Sequence, residues 1–309
     1  MKNKFNFIEK LIIAVLGLFF FASCGDDHDF TPFESKENLE NLANVKFVHA
    51  AVGPTGANFT INYFVNNIKI SALNITSGLP LGIVYGSTYP TPINYALIEP
   101  GTQQFRADTP SRAATATLPE VPASTIFNGN IVTEKGKSYT NFLLSTPPTI
   151  TPAVYSTLQL NDDFAPADLD KTKAYVRFIN VISNAAAVGY DLGIIKATSN
   201  LGATPVLTKE VLTYTNITFK GGDEKFIAIE PQEPNDTRGY QLQVRVAGSP
   251  RNAPGTITGT TIANLANVAP AVIFIPRAGR VYTIFCRGII GGLPTATVNP
   301  PVVSFITNR

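Results

Sequence analysis

Tryptophan is absent from the 309 residues, and cysteine, histidine and methionine are scarce, at two, two and one. Two cysteines cannot build a disulfide scaffold, and two histidines leave little from which to assemble a His-based metal or catalytic site. Charge is thin as well. Only 15% of residues are charged, against the rough quarter usual in soluble domains. The formal net charge of +2 is no nucleic-acid footprint, which calls for a basic patch or stripe. No cofactor signature is present, and no cofactor is expected. What the chain has in quantity is apolar and turn-forming residue: 44% hydrophobic, with 23 Gly and 23 Pro. Length and apolar content suffice for about two domains, each with its own core.

Residues 1–23 read as a secretory signal. Lys2, Lys4 and Lys10 give a cationic start, and residues 11–21 (LIIAVLGLFFF) are an unbroken apolar run. That run is too short for a permanent span, which takes about 20 apolar residues. It ends in Phe21-Ala22-Ser23-Cys24, followed by Gly25-Asp26-Asp27. This resembles a bacterial lipoprotein signal with its lipobox, with Phe21 where Leu is usual. The resemblance implies cleavage before Cys24, a diacylglyceryl thioether on Cys24 and acylation of the new N-terminus. The membrane is then a partner through the lipid, each buried CH₂ contributing about 0.8 kcal/mol. An ordinary signal peptide with an incidental cysteine is the alternative.

Removing residues 1–23 takes away three Lys and one Glu, which leaves 21 basic and 21 acidic residues. A polybasic grip on phosphates or anionic lipids is therefore not expected. Residues 24–40 form an acidic, flexible tether, in which Asp26, Asp27, His28 and Asp29 read as a solvated spacer rather than a cation site. Its acidic start loosely resembles the export signal of surface lipoproteins in the Bacteroidota. That implies an outer-membrane location facing the cell surface, with a periplasmic face as the alternative. Once Cys24 is lipidated, Cys286 is the one remaining thiol. It lies in the strand-like Val281-Tyr282-Thr283-Ile284-Phe285-Cys286 and reads as a small buried hydrophobe.

The mature chain repeats itself. Val45-Lys46-Phe47-Val48-His49 matches Val176-Arg177-Phe178-Ile179-Asn180 at an offset of 131, and so does Tyr95-Ala96-Leu97-Ile98-Glu99-Pro100 with Phe226-Ile227-Ala228-Ile229-Glu230-Pro231. Gly136-Lys137-Ser138-Tyr139-Thr140 matches Gly279-Arg280-Val281-Tyr282-Thr283 at 143, and residues 152–156 match 300–304 at 148. These offsets place a first repeat at residues 41–163, a linker at 164–171 and a second repeat at 172–309. Two such copies make two domains, not a solenoid of many short units. Runs of Val, Ile, Thr, Tyr and Phe between Gly, Pro, Asn and Ser clusters read as strands, and no helix pattern follows the signal. Leu242, Val244 and Val246 alternate with Gln243 and Arg245, the pattern of a half-buried strand. The fold class is all-β: two tandem immunoglobulin-like antiparallel β-sandwich domains of about seven strands each.

These blocks resemble the domain of unknown function 4397 family of secreted and envelope proteins. Residues 45–50 and 176–181 match its opening strand, residues 61–67 (INYFVNN) its second element, Pro100-Gly101 its turn, and residues 136–140 and 279–283 its late Gly-x-x-Tyr-Thr strand. The second copy departs at Pro231-Gln232, where the turn glycine is missing. The resemblance implies a sandwich fold and an envelope setting, and it carries over no activity and no functional residue.

Few residues bid for chemistry. His49, replaced by Asn180 in the second copy, reads as a hydrogen-bonding strand end, since no nucleophile motif accompanies it. Glu99 and Glu230 sit at matching positions in different repeats, unlike the facing carboxylates of a glycosidase. Asp162, Asp163, Asp168 and Asp170 cluster at the linker without a calcium-loop spacing and read as solvated. Residues 109–130 and 248–270 read as long, low-charge loops. The aromatic loop 84–95 (VYGSTYPTPINY) is the best binding candidate, with Tyr85, Tyr89 and Tyr95 as ligand contacts, set against plain loop packing. At offset 131 the second copy carries Asn216 and Lys220 where the first has Tyr85 and Tyr89, so the shared fold would not require those aromatics. The reading is a lipid-anchored envelope protein acting as a non-catalytic module that binds a glycan or a protein. A polymer-acting hydrolase and a purely structural spacer are the rivals.

Overall fold

The computed structural model describes residues 40–53, 59–71, 82–90, 94–111, 120–146, 152–162, 169–185, 187–197, 207–222, 225–233, 238–253, 256–257, 273–290 and 301–308. The signal, Cys24, nearly all of the tether, Asp163, Asp168 and most of the 164–171 linker lie outside the described residues. Among the described residues the chain is all-β apart from one 3-10 turn, Ser183–Ala185.

The first half runs β1 (Ala43–His49), β2 (Thr60–Val65), β3 (Ile68–Lys69), β4 (Ile83–Val84), β5 (Thr88–Tyr89), β6 (Ala96–Ile98), β7 (Gly101–Thr109), β8 (Ser124–Thr133), β9 (Ser138–Ser145) and β10 (Tyr155–Asn161). The second half runs β11 (Ala174–Asn180), β12 (Tyr190–Ala197), β13 (Leu207–Ile217), β14 (Ile227–Ile229), β15 (Tyr240–Val246), β16 (Ile273–Phe274), β17 (Val281–Arg287) and β18 (Val302–Thr307). Each half builds two sheets. In the first they are β10-β9-β1-β5, with β6 also on β1, and β3-β2-β7-β8, with β4 also on β2. In the second they are β14-β11-β17-β18 and β13-β12-β15-β16.

Three apolar layers hold these four sheets together. Phe47, Ile61, Tyr63, Phe105 and Ile131 fill the first half between its two sheets. Phe178, Leu192, Leu242, Phe274 and Ile284 do the same in the second. A third layer joins the halves, where Val48, Phe142 and Leu160 meet Ile179, Phe285 and Ile306. The sheets of β1 and β11 are thus covered on both faces. That is why β11 is buried at every residue and β1 at all but one, and why they read as continuous apolar runs rather than alternating ones.

The sequence suggests wholly antiparallel sandwiches, but one pairing in each half is parallel. β1 runs alongside β9 with Val45 opposite Tyr139, and β11 alongside β17 with Val176 opposite Tyr282. The chain leaves β1, lays down the other sheet and returns in the original direction, which is the long crossover that a parallel neighbour requires.

The Gly-x-x-Tyr-Thr element has a local purpose. Gly136 and Gly279 both take φ +72°, a left-handed turn that favours glycine. The tyrosine hydroxyl five residues into the motif's approach accepts a backbone N–H, Glu134 to Tyr139 at 3.1 Å and Arg277 to Tyr282 at 3.0 Å. Two segments depart from the sequence reading. Residues 124–130, read as part of the long, low-charge loop 109–130, belong to β8 and pair along β7. In β15 both faces are covered: Gln243 and Arg245 are buried while Val246 is 50% exposed. Arg245 is held by Glu210 at 2.5 and 3.1 Å.

Candidate functional site at the junction of the halves

The opening strands place one basic residue each in the middle of an apolar run, Lys46 and Arg177, and both side chains are fully buried. Strand alternation turns them away from their own sandwich cores towards the facing half. There each donates to a carbonyl of the other half's last strand. Lys46 Nζ donates to Thr307 O, and Arg177 Nη1 donates to Asn161 O at 2.7 Å. The two contacts exchange equivalent residues, the signature of a two-fold interface within one chain. Phe142 and Phe285, equivalents at offset 143, meet edge to face across it with ring centroids 5.2 Å apart.

Asp162 anchors the polar part. Arg177 Nη2 pairs with its Oδ1, and Oδ2 accepts from Thr140 Oγ1 at 2.6 Å and Tyr95 OH at 2.8 Å. Its counterpart Asn308 accepts from Thr283 Oγ1 at 2.8 Å and donates to Thr140 Oγ1 at 3.2 Å. Arg177 Nε donates to Thr283 Oγ1 at 2.9 Å. Each cation also lies over an aromatic ring of its own half, Lys46 over Tyr95 at 4.5 Å and Arg177 over Phe226 at 4.6 Å. The junction therefore buries two cations against one carboxylate. Burial pulls the Lys46 ammonium down to about 8, against the opposing pull of Asp162.

The backbone bonds correct the repeat alignment in two places. The last strands match at 146 rather than 148, since Leu160 pairs with Thr140 and Ile306 with Thr283. A two-residue slip keeps the same face, so composition alone does not detect it. The loop after β4 matches at 134: Gly86 N donates to His49 O, and Lys220 N to Asn180 O. Tyr85 thus corresponds to Phe219, not Asn216, and an aromatic is kept in both copies.

The three tyrosines have separate surroundings. Tyr85 lies under the Arg287 guanidinium, 4.5 Å from Cζ to ring centroid, and meets the His49 ring edge-on at 5.9 Å. Tyr89 pairs opposite Phe47 at the end of the first sheet and packs on the first core. Tyr95 belongs to the junction network. His49 and Asn180 both bond a neighbouring carbonyl, His49 Nε2 to Phe59 O at 3.0 Å and Asn180 Nδ2 to Ile217 O at 3.1 Å. Burial and the nearby Arg287 charge take the His49 imidazole down to about 4, against the raising effect of its Phe59 bond. Cys286 is buried and donates to Asn180 Oδ1 at 3.2 Å, and burial pushes its thiol far up.

Glu99 is exposed, and Glu230 is taken by Lys173 of its own half. Asp170 caps Thr172 at the surface. Asp162 overturns the expectation of a solvated linker: it is 1% exposed and ion-paired, because the residue directly after β10 is drawn into the junction. Among the described residues no group of three or more His, Cys, Asp or Glu could hold a metal.

No family model and no curated protein sequence matches the chain. Weak likenesses to solved structures exist. The fimbrial anchor protein Mfa2 from Porphyromonas gingivalis is 11% identical over 86% of this chain and 97% of its own, with a TM-score of 0.21. The tip fimbrial protein Mfa3 of the same organism, with a C-terminal truncation, is 10% identical over 85% and 99%, with a TM-score of 0.18.

Proposed function

We propose that the chain is a lipid-anchored protein of the cell envelope whose two repeats, residues 41–163 and 172–309, act together as one non-catalytic binding or display module. The observation that carries this reading is the junction. The buried ionisable groups Lys46, Arg177 and Asp162 bond one another's halves rather than converging on an open cleft, so their chemistry is spent on docking. Two sandwiches docked in this way make a single presenting surface at the end of a lipidated tether. The fold and envelope setting implied by the resemblance to the domain of unknown function 4397 family agree with this use.

The test is fractionation of cells carrying the wild type and a Cys24→Ala variant, combined with protease treatment of intact cells and a periplasmic leak control. Wild-type protein in the outer membrane and digested on intact cells supports surface display. Protection until the outer membrane is opened places the module on the periplasmic side. Unchanged membrane association of the Cys24→Ala variant refutes the lipid anchor.

A further inference from the structure

The pseudo-two-fold axis gives every residue at one end of the junction a counterpart at the other, and the two ends differ in kind. At one end Leu144, with Leu158 and Phe219 packed against the cluster it belongs to, contributes to the inter-half apolar layer, and Asn180 there is bonded through both its Nδ2 and its Oδ1. At the opposite end the counterparts are Tyr85, Arg287, Ser304 and His49. Arg287 Nε donates to Ser304 Oγ at 3.3 Å and its guanidinium covers the Tyr85 ring. No carboxylate among the described residues pairs with Arg287. The buried Tyr85 hydroxyl has no acceptor for its proton, the Arg287 guanidinium beside it being a donor only, and His49 Nδ1 is buried with no hydrogen-bond partner. Gly86 makes room for the arginine, since a Cβ built there would collide with the guanidinium.

The shared fold is satisfied by apolar packing at this position, as the Phe219 end demonstrates. Three polar groups with spare bonding capacity at the other end therefore have no structural necessity, and a buried unsatisfied polar atom is costly. We propose that this end of the junction is a binding site for a hydroxyl-bearing carboxylate, the chemistry of a uronic acid. The planar guanidinium fork suits a carboxylate, and the Tyr85 hydroxyl is a second donor. With Nε2 carrying the proton it donates to Phe59 O, His49 Nδ1 is an acceptor. A plain carboxylate has no donor to give it, whereas a sugar hydroxyl does. Entry requires the half-buried Arg287 side chain to move off the Tyr85 ring. This inference deepens the binding reading above and rests on it, while fractionation tests the anchor independently.

The counterparts supply the variants. Arg287→Leu and Tyr85→Phe install what the apolar end already carries, so both should fold, which a thermal melt verifies. The full chain in detergent is titrated with sodium glucuronate, glucose and sodium acetate, following arginine Nε and tyrosine ring signals by NMR. Saturable glucuronate binding, on the order of millimolar, is expected, weakened roughly tenfold or more in Arg287→Leu and absent for glucose. Acetate should bind more weakly than glucuronate, and acetate binding equally well overturns the part assigned to His49. No saturable shift in the wild type, or one that survives Arg287→Leu, overturns the site.

Discussion

Replacing Asp162 by Asn keeps the size of the side chain and an oxygen for Thr140 and Tyr95 but removes the one negative charge that the described residues place in the junction. Arg177 and Asp162 have no side-chain exposure, so water cannot take over the lost interaction. Lys46, buried in the same network, then shares the space with a second uncompensated cation. Breaking a buried pair from one side costs about 3–5 kcal/mol. For a chain of this length, with a melting shift of roughly 2–4 °C per kcal/mol, the midpoint should fall by roughly 10 °C. Calorimetry and far-UV circular dichroism read this without tryptophan. The double variant Asp162→Asn, Asn308→Asp moves the carboxylate to its pseudo-symmetric position beside Thr283. It should regain most of the loss, because the Arg177 Nε already reaches that threonine. A loss below about 1 kcal/mol for Asp162→Asn, by the same standard for surface pairs, would mean that water enters the junction and would refute the reasoning.

His49 should make the protein acid-sensitive. Its folded value of about 4 lies below the ordinary 6.5, so the unfolded chain binds the extra proton first. Stability is then complete above pH 6.5 and is lost as pH falls towards 4, by up to about 3 kcal/mol. His49→Asn, copying the second half, should flatten that slope in melts between pH 7.5 and 4, and an unchanged slope would assign it elsewhere. Tyr139→Phe and Tyr282→Phe each remove one acceptor for a turn N–H and should cost about 1 kcal/mol in denaturant titrations. Phe142→Ala opens the inter-half layer opposite Phe285 and should cost about 3–5 kcal/mol, and a cost near zero would show that the layer is not close-packed.

The opening strands, the Gly-x-x-Tyr-Thr element and the repeat itself are legible because each rests on local chemistry: branched residues, a left-handed glycine, a tyrosine five residues from its donor. The junction is not legible in the same way. Lys46 and Arg177 break apolar runs in both copies, which is the one trace it leaves, but alternation assigns such a residue to solvent unless a second sheet covers that face. Asp162 has an acidic neighbour in sequence and looks like linker, and only the register of β10 brings it under Arg177. The equivalence of Tyr85 and Phe219 was hidden by a three-residue shift that later reverses, which backbone bonding resolves and residue matching does not.

The parallel pairs bear on how the chain reaches this state. Asn44 lies opposite Ser138 and Tyr175 opposite Val281, so the first strand of each half closes its sheet against one of the last strands of that half in chain order. Contacts of such sequence separation slow folding. In a vectorially delivered chain β1 can pair early with β6 but must wait for β9, and β11 for β17. The face that carries Lys46 stays without its partner until β18 is present, so a chain delivered N-terminus first passes through a half-assembled, basic-centred sheet that completes only when the second half arrives.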